Sequence, residues 1–189
     1  FDIQEFMIVP KSNVPTKSTR IAAEIFQQLG KNLKKKKLST LVGDEGGYSP
    51  ALSSNEEVLG EIVQAAQDLG YVNTKDYGFA LDSAATEFFK DGKYVMQKTG
   101  EVLTPDQLTE FYSKIGQKYN IESFEDPFAE DDWAAFKKFT EVGAKYAFQV
   151  VGDDLLVTNP KRIKRGIDEK ASSAVLVKVN QIGSLSETV

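Results

Sequence analysis

Six carboxylates fall between Glu122 and Asp132, in the stretch ESFEDPFAEDDW. Acidic groups crowded onto one spot repel, so such a cluster costs stability unless solvent, a partner cation or a metal offsets the charge. Glu130, Asp131 and Asp132 stand where a helix begins near Trp133, and the positive end of a helix dipole accommodates acids there. Glu125 has no such explanation. It ends an apolar-leaning run and is followed by Asp126 and Pro127, which stop a strand and leave its last side chain at the rim of a sheet. Two other acids take the same position, Asp82 after residues 77–81 and Asp153 after residues 147–151. Each alone could cap the helix that follows it. Together, with neither His nor Cys beside them, three hard-oxygen ligands on successive strand ends suit Mg²⁺ and disfavour zinc or copper. Lys178 lies in the apolar run 174–179, where a lysine buries a charge at a cost of several kcal/mol unless acids surround it. A carboxylate-lined mouth supplies those acids, and an inward lysine there can serve as a general base once its pKa is tuned. The competing reading is an outward lysine on an edge strand.

These residues need elements that bring them to one place. Residues 1–9 read as a strand ended by Pro10, and residues 19–32 as a helix with Ile21, Ala22, Ile25, Phe26 and Leu29 on one face. A short apolar run, 38–42, reads as a strand stopped by Gly43-Asp44-Glu45-Gly46-Gly47. Ser54-Asn55-Glu56-Glu57 has the form of a capping box for a helix to Gly70, and Thr104-Pro105 opens another through Tyr119. The intervening 90–102 segment reads as a small hairpin or a loop around Asp91-Gly92 and Thr99-Gly100. Further helices follow Glu125, Asp153 (capped by Asn159-Pro160) and Lys178 (Ser184 to Glu187).

Strands alternating with helices predict a parallel sheet with covered faces. The polar strand ends Glu45, Asp82, Glu125, Asp153 and Lys178 are 37, 43, 28 and 25 residues apart. A (β/α)₈ barrel uses roughly 31 residues per unit and carries its functional groups on the C-terminal rim. A doubly wound open sheet gives similar spacing but gathers such groups at one switch point, so the barrel is favoured. Only five or six strands are readable, too few to close eight-fold. The expected fold is therefore an α/β partial (β/α)₈ TIM-type barrel, residues 1–189 forming part of one domain without an internal boundary.

Composition narrows the function. With 28 acidic against 23 basic residues and a formal net charge of −5, a nucleic-acid partner is not expected, and Lys34 to Lys37 read as a solvated helix end. No cysteine is present, so disulfide and thiolate chemistry are excluded within these residues. No apolar run is long enough to span a bilayer, and the expected location is cytoplasmic.

The strings QEFMI, VGDEGGYSP, ESFEDPFAEDDW, VVGDDLLVTNPKRI and LVKVNQIGSLSE, in this order across the chain, resemble enolase, the phosphopyruvate hydratase family of glycolysis. The resemblance implies the central part of such an enzyme, without the family's N-terminal domain and without the first and last parts of its barrel. It implies Asp82, Glu125 and Asp153 as Mg²⁺ ligands, Lys178 as the base that takes the C2 proton of 2-phosphoglycerate, and Glu45 as the acid toward the C3 hydroxyl. Gln4 and Glu5 match groups facing substrate. In this superfamily a Lys or His base works with one or two Mg²⁺ ions, because a C–H beside a carboxylate is a very weak acid. Crowding with Glu5 is expected to raise the pKa of Glu45. Tyr48 stands where the family often has phenylalanine, and Leu81 and Ser83 also depart from the usual pattern. The family's mobile serine loop, histidines, Arg-Ser pair and second lysine belong to segments outside this sequence, so these 189 residues alone are expected to be inactive. The parent enzyme is expected to be a homodimer. Another enzyme of the superfamily, or a non-catalytic binding module with the same fold, shares part of this pattern; VGDEGG and KVNQIG, and the intact acids and lysine, weigh against both.

Overall fold

The computed structural model describes residues 2–189. Its main sheet has five strands: β1 (Glu5–Pro10), β2 (Tyr77–Asp82), β6 (Ile121–Glu125), β7 (Gln149–Gly152) and β8 (Ala174–Val175), adjacent in that order. A three-stranded sheet of β3 (Phe89–Lys90), β4 (Lys93–Val95) and β5 (Val102–Leu103) follows a short 3-10 turn, Ala85–Phe88. The helices are α1 (Pro15–Lys35), α2 (Asn55–Asp68), α3 (Pro105–Tyr119), α4 (Trp133–Tyr146), α5 (Pro160–Glu169), and the short α6 (Val179–Ile182) and α7 (Leu185–Thr188).

Local chemistry accounts for most of these boundaries. Ser54 caps α2 by accepting from Glu57 N, but Glu57 reaches back to Ser53 rather than to Ser54. Thr104 and Gln107 form the reciprocal capping box of α3. Asp132 caps α4 and Asn159 caps α5. The expected hairpin is present, with Asp91 and Gly92 both in the left-handed region that a tight turn requires.

Four expectations need correction. First, the sheet is mixed: β1 runs antiparallel to β2, and only β2, β6, β7 and β8 are mutually parallel. Second, residues 38–42 form no strand. Leu41 and Val42 are exposed, and Val42 makes a single bridge to Tyr48. β1 and β2 pair directly, and α1 and α2 connect them. Third, the strand expected over 174–179 stops at Val175, since its partner β7 ends at Gly152. The first strand also begins at Glu5, not at the chain start; Phe1 lies outside the described residues.

The core lies between the sheet and the helices. Phe124 of β6 is fully buried and meets Tyr112 of α3, Phe139 of α4 and Phe148 at ring-centroid distances of 5.3, 5.3 and 5.0 Å. Leu81, its ladder partner on β2, is also fully buried. Side chains alternate along a strand, so packing Phe124 and Leu81 against the helices turns Glu125 and Asp82 to the opposite face. Among the described residues the five-stranded sheet does not close, and β1 and β8 are its edges.

Candidate metal and proton-transfer site

A row of acids crosses the end of the sheet. In the β1–β2 ladder Glu5 is the partner of Asp82, and in the β2–β6 ladder Asp82 is the partner of Glu125. Facing partners share a side of the sheet. On β7 the partner of Glu125 is Val151, and Asp153, two residues on, continues the same face just past the strand end. Three successive parallel strands thus deliver Asp82, Glu125 and Asp153 to one rim.

The electrostatics are those of a repulsive cluster. Burial pushes Asp82 up to about 7, with Asp126, Glu5 and Asp153 adding to the rise and the Ala84 N–H, which donates to its carboxylate, opposing it. Glu125 is pushed up to about 8, again chiefly by burial and then by Asp82, Asp153 and Asp126, while Lys178 pulls it down. Such a set of hard-oxygen donors, held together against its own repulsion, fits a small divalent cation. Among the described residues, the trio whose carboxylate oxygens lie within 4.8 Å of one another is Asp126, Asp153 and Asp154, which shares only Asp153 with the expected ligands. Asp126 has another duty. Its two oxygens accept from the backbone N–H groups of Asp153 (3.1 Å), Asp154 (2.7 Å) and Leu155 (3.5 Å). It is 3% exposed and left-handed (φ 39°), and it clamps the loop that carries Asp153. Asp126 is thus engaged in holding the loop, while Asp82 and Glu125 stand outside the trio that it forms with Asp153 and Asp154.

Lys178 sits past the end of β8 at the N-cap of α6, not within a strand. Its ammonium still turns to the acids, with Nζ 2.5 Å from Asp153 Oδ2. That hydrogen bond is the largest cause of a pKa raised above the usual lysine value, ahead of the attraction of the surrounding carboxylates. Asp153 Oδ1 is taken by Gln181 Nε2 at 2.6 Å. Thr158, buried and left-handed, accepts from Lys178 N at 2.9 Å and donates to Gln181 Oε1 at 2.7 Å.

The remaining expected residues lie toward β1. Glu45 is in the exposed 43–47 loop rather than at a strand end, and Gln4 is an exposed residue just before β1. With Glu5 they line one cleft of about 940 Å³ bordered by β1, α1 and α2. Tyr48 anchors the loop by stacking on Phe26 at 4.3 Å and filling the space over Gly30. Glu5 joins the cleft to the carboxylate rim: its pKa is raised first by burial and then by Glu45, and lowered by Lys178. Sequence reasoning read Asp126 only as a strand stop and passed over Thr158 and Gln181. An Asp before Pro at a strand end was a signal for the first; the other two meet only through tertiary contacts.

Residues 1–189 match the family model of the enolase C-terminal TIM barrel domain. An enolase of Bdellovibrio bacteriovorus is 50% identical over 189 residues, covering 99% of this chain and 44% of that protein. The chain thus spans less than half the length of the relative it matches. On the strength of a family match along its whole length and of this identity, the chain belongs to the enolase family, in the part that forms the C-terminal TIM-barrel domain.

Proposed function

We propose that residues 1–189 form part of the catalytic barrel of an enolase that reversibly dehydrates 2-phospho-D-glycerate to phosphoenolpyruvate with Mg²⁺. The observation that supports this reading is the position of Asp82, Glu125 and Asp153 at or just past the ends of three neighbouring parallel strands, with the Lys178 ammonium on Asp153. Asp82, Glu125 and Asp153 would hold the ion. Bound there, Mg²⁺ supplies positive charge beside the substrate carboxylate, which makes the adjacent C–H easier to ionise.

In this reading Lys178 removes the C2 proton. It must be neutral to do so, and its hydrogen bond to Asp153 holds it protonated. Asp153 therefore governs the base: the more of its charge is engaged elsewhere, the lower the lysine pKa. Glu45, carried on a loop pinned by Tyr48, delivers a proton to the departing C3 hydroxyl, and Gln4 and Glu5 border the same cleft. Burial first, and then the charge of Glu45, raise the pKa of Glu5 in this cleft.

The test is formation of phosphoenolpyruvate from 2-phosphoglycerate by the full-length protein that carries these residues, with Mg²⁺ and with chelator. Magnesium-dependent turnover, lost in Glu125→Gln and Lys178→Ala, is expected. Turnover of a different carboxylate substrate but not of 2-phosphoglycerate would replace this reading with another member of the superfamily.

A further inference from the structure

We propose that Thr158 and Gln181 are positioning residues that together set the orientation of Asp153 and Lys178, an inference that rests on the enolase reading above. The case begins with hydrogen-bond direction. The hydroxyl of Thr158 has one proton and two lone pairs. Lys178 N–H donates to that oxygen, and the Thr158 proton goes to Gln181 Oε1. With its oxygen so engaged, the Gln181 amide must present its NH₂ to the other side, where Nε2 donates to Asp153 Oδ1 at 2.6 Å. Asp153 Oδ2 is then the oxygen left to the Lys178 ammonium. Each link fixes the next, and the chain closes: Thr158 holds Lys178 by its backbone and, through Gln181 and Asp153, faces it again at the side chain.

The backbone around Thr158 supports a dedicated role. Val157 and Thr158 are consecutive β-branched residues in the left-handed region, φ 43° and 53°. This conformation is disfavoured for such side chains and persists where surrounding structure enforces it. Here Val157 N donates to Asp153 O at 2.7 Å, Asn159 N donates to Leu156 O, and the Arg162 guanidinium holds Leu155 O and Glu130 O. In this strained turn Thr158 is 2% exposed, and its hydroxyl bonds Lys178 N and Gln181 at the start of α6. A residue serving only as loop filler needs no hydroxyl there. Partners that orient a metal ligand typically govern affinity or activity by about 10–100-fold.

The experiment uses the full-length enzyme and the variants Thr158→Val, Thr158→Ser, Gln181→Leu and the double variant Thr158→Val/Gln181→Leu. Gln181 is only half-buried, so its replacement tests the relay even if Thr158→Val folds poorly. Mg²⁺ affinity is measured by calorimetry without substrate, and kcat and KM with saturating Mg²⁺. Thr158→Val and Gln181→Leu are expected to weaken Mg²⁺ binding about 10-fold and to lower kcat about 10–100-fold with KM within about threefold. Thr158→Ser, which keeps the hydroxyl, should stay within about threefold of wild type. Because the two residues act through one chain of bonds, the double variant should be no worse than the more damaged single one. Wild-type affinity and kcat in Gln181→Leu, or additive losses in the double variant, would overturn the inference while leaving the enolase reading intact. A wild-type protein that neither binds Mg²⁺ nor turns over 2-phosphoglycerate would overturn both.

Discussion

Lowering the pH should loosen magnesium by a predictable amount. Asp82 and Glu125 are pushed up to about 7 and about 8 in the metal-free site, so both hold protons over part of the neutral range, and a cation must displace them. At about pH 8.5 the displacement costs almost nothing. At about pH 6 it costs roughly a factor of 10 for Asp82 and roughly a factor of 100 for Glu125, so affinity should fall on the order of 10²–10³-fold when their mutual coupling is allowed for. Calorimetric Mg²⁺ titrations of the full-length protein, in buffers of different ionisation enthalpy, would give both the affinity and the protons released. Between one and two protons should leave near pH 7, and Glu125→Gln should reduce the pH effect to roughly 10-fold. Affinity unchanged across this range, with no proton release, would refute the reasoning. The same shifts act on stability. Both folded-state values lie above those of the unfolded chain, so their contribution to metal-free stability is full below about pH 4 and is lost as pH rises through about 7 and 8. Saturating Mg²⁺ should abolish this decline.

Other predictions follow from the scaffold under the site. Asp126→Ala removes the acceptor of three backbone N–H groups at the Asp153 loop and should cost about 2–4 kcal/mol of stability by chemical denaturation, with weaker Mg²⁺ binding. Phe124→Ala opens a cavity among Tyr112, Phe139 and Phe148 and should cost about 3–5 kcal/mol; a melt within a degree or two of wild type would contradict the packing described. At Gly152 a Cβ would stand 2.8 Å from Leu156 Cγ, so Gly152→Ala should shift the Asp153 loop, reduce stability by about 1–3 kcal/mol and slow turnover. The 189-residue chain alone should have no measurable hydratase activity and should self-associate through the open edges β1 and β8; a monomer with a sharp cooperative melt would count against this.

Much of the arrangement was legible because it rests on local signals. Residues 77–82 and 121–125 end at acids and are followed by turn or cap chemistry, so the strands and their rim positions could be read directly. What failed was decided by partners distant in sequence. The 38–42 run has the look of a strand, but Leu41 and Val42 stay exposed and Val42 bridges to Tyr48 within its own loop instead of joining the sheet. The 174–179 run is apolar enough for a long strand, yet β7 turns away at Asp153 and leaves Val175 as the last paired residue. Lys178 nevertheless reaches the acids, because α6 begins there and Thr158 ties its backbone to the β7 loop. The roles of Asp126, Thr158 and Gln181 depend on bonds spanning 20 to 29 residues, which no local pattern announces.

The most direct test of the central claim is exchange of the C2 hydrogen of 2-phosphoglycerate with solvent deuterium, followed by NMR with the full-length enzyme and Mg²⁺. Wild type should exchange this hydrogen, and Glu45→Gln should do so while failing to expel the C3 hydroxyl. Lys178→Ala should not exchange it at all; exchange by that variant at the wild-type rate would contradict the assignment of Lys178 as the base.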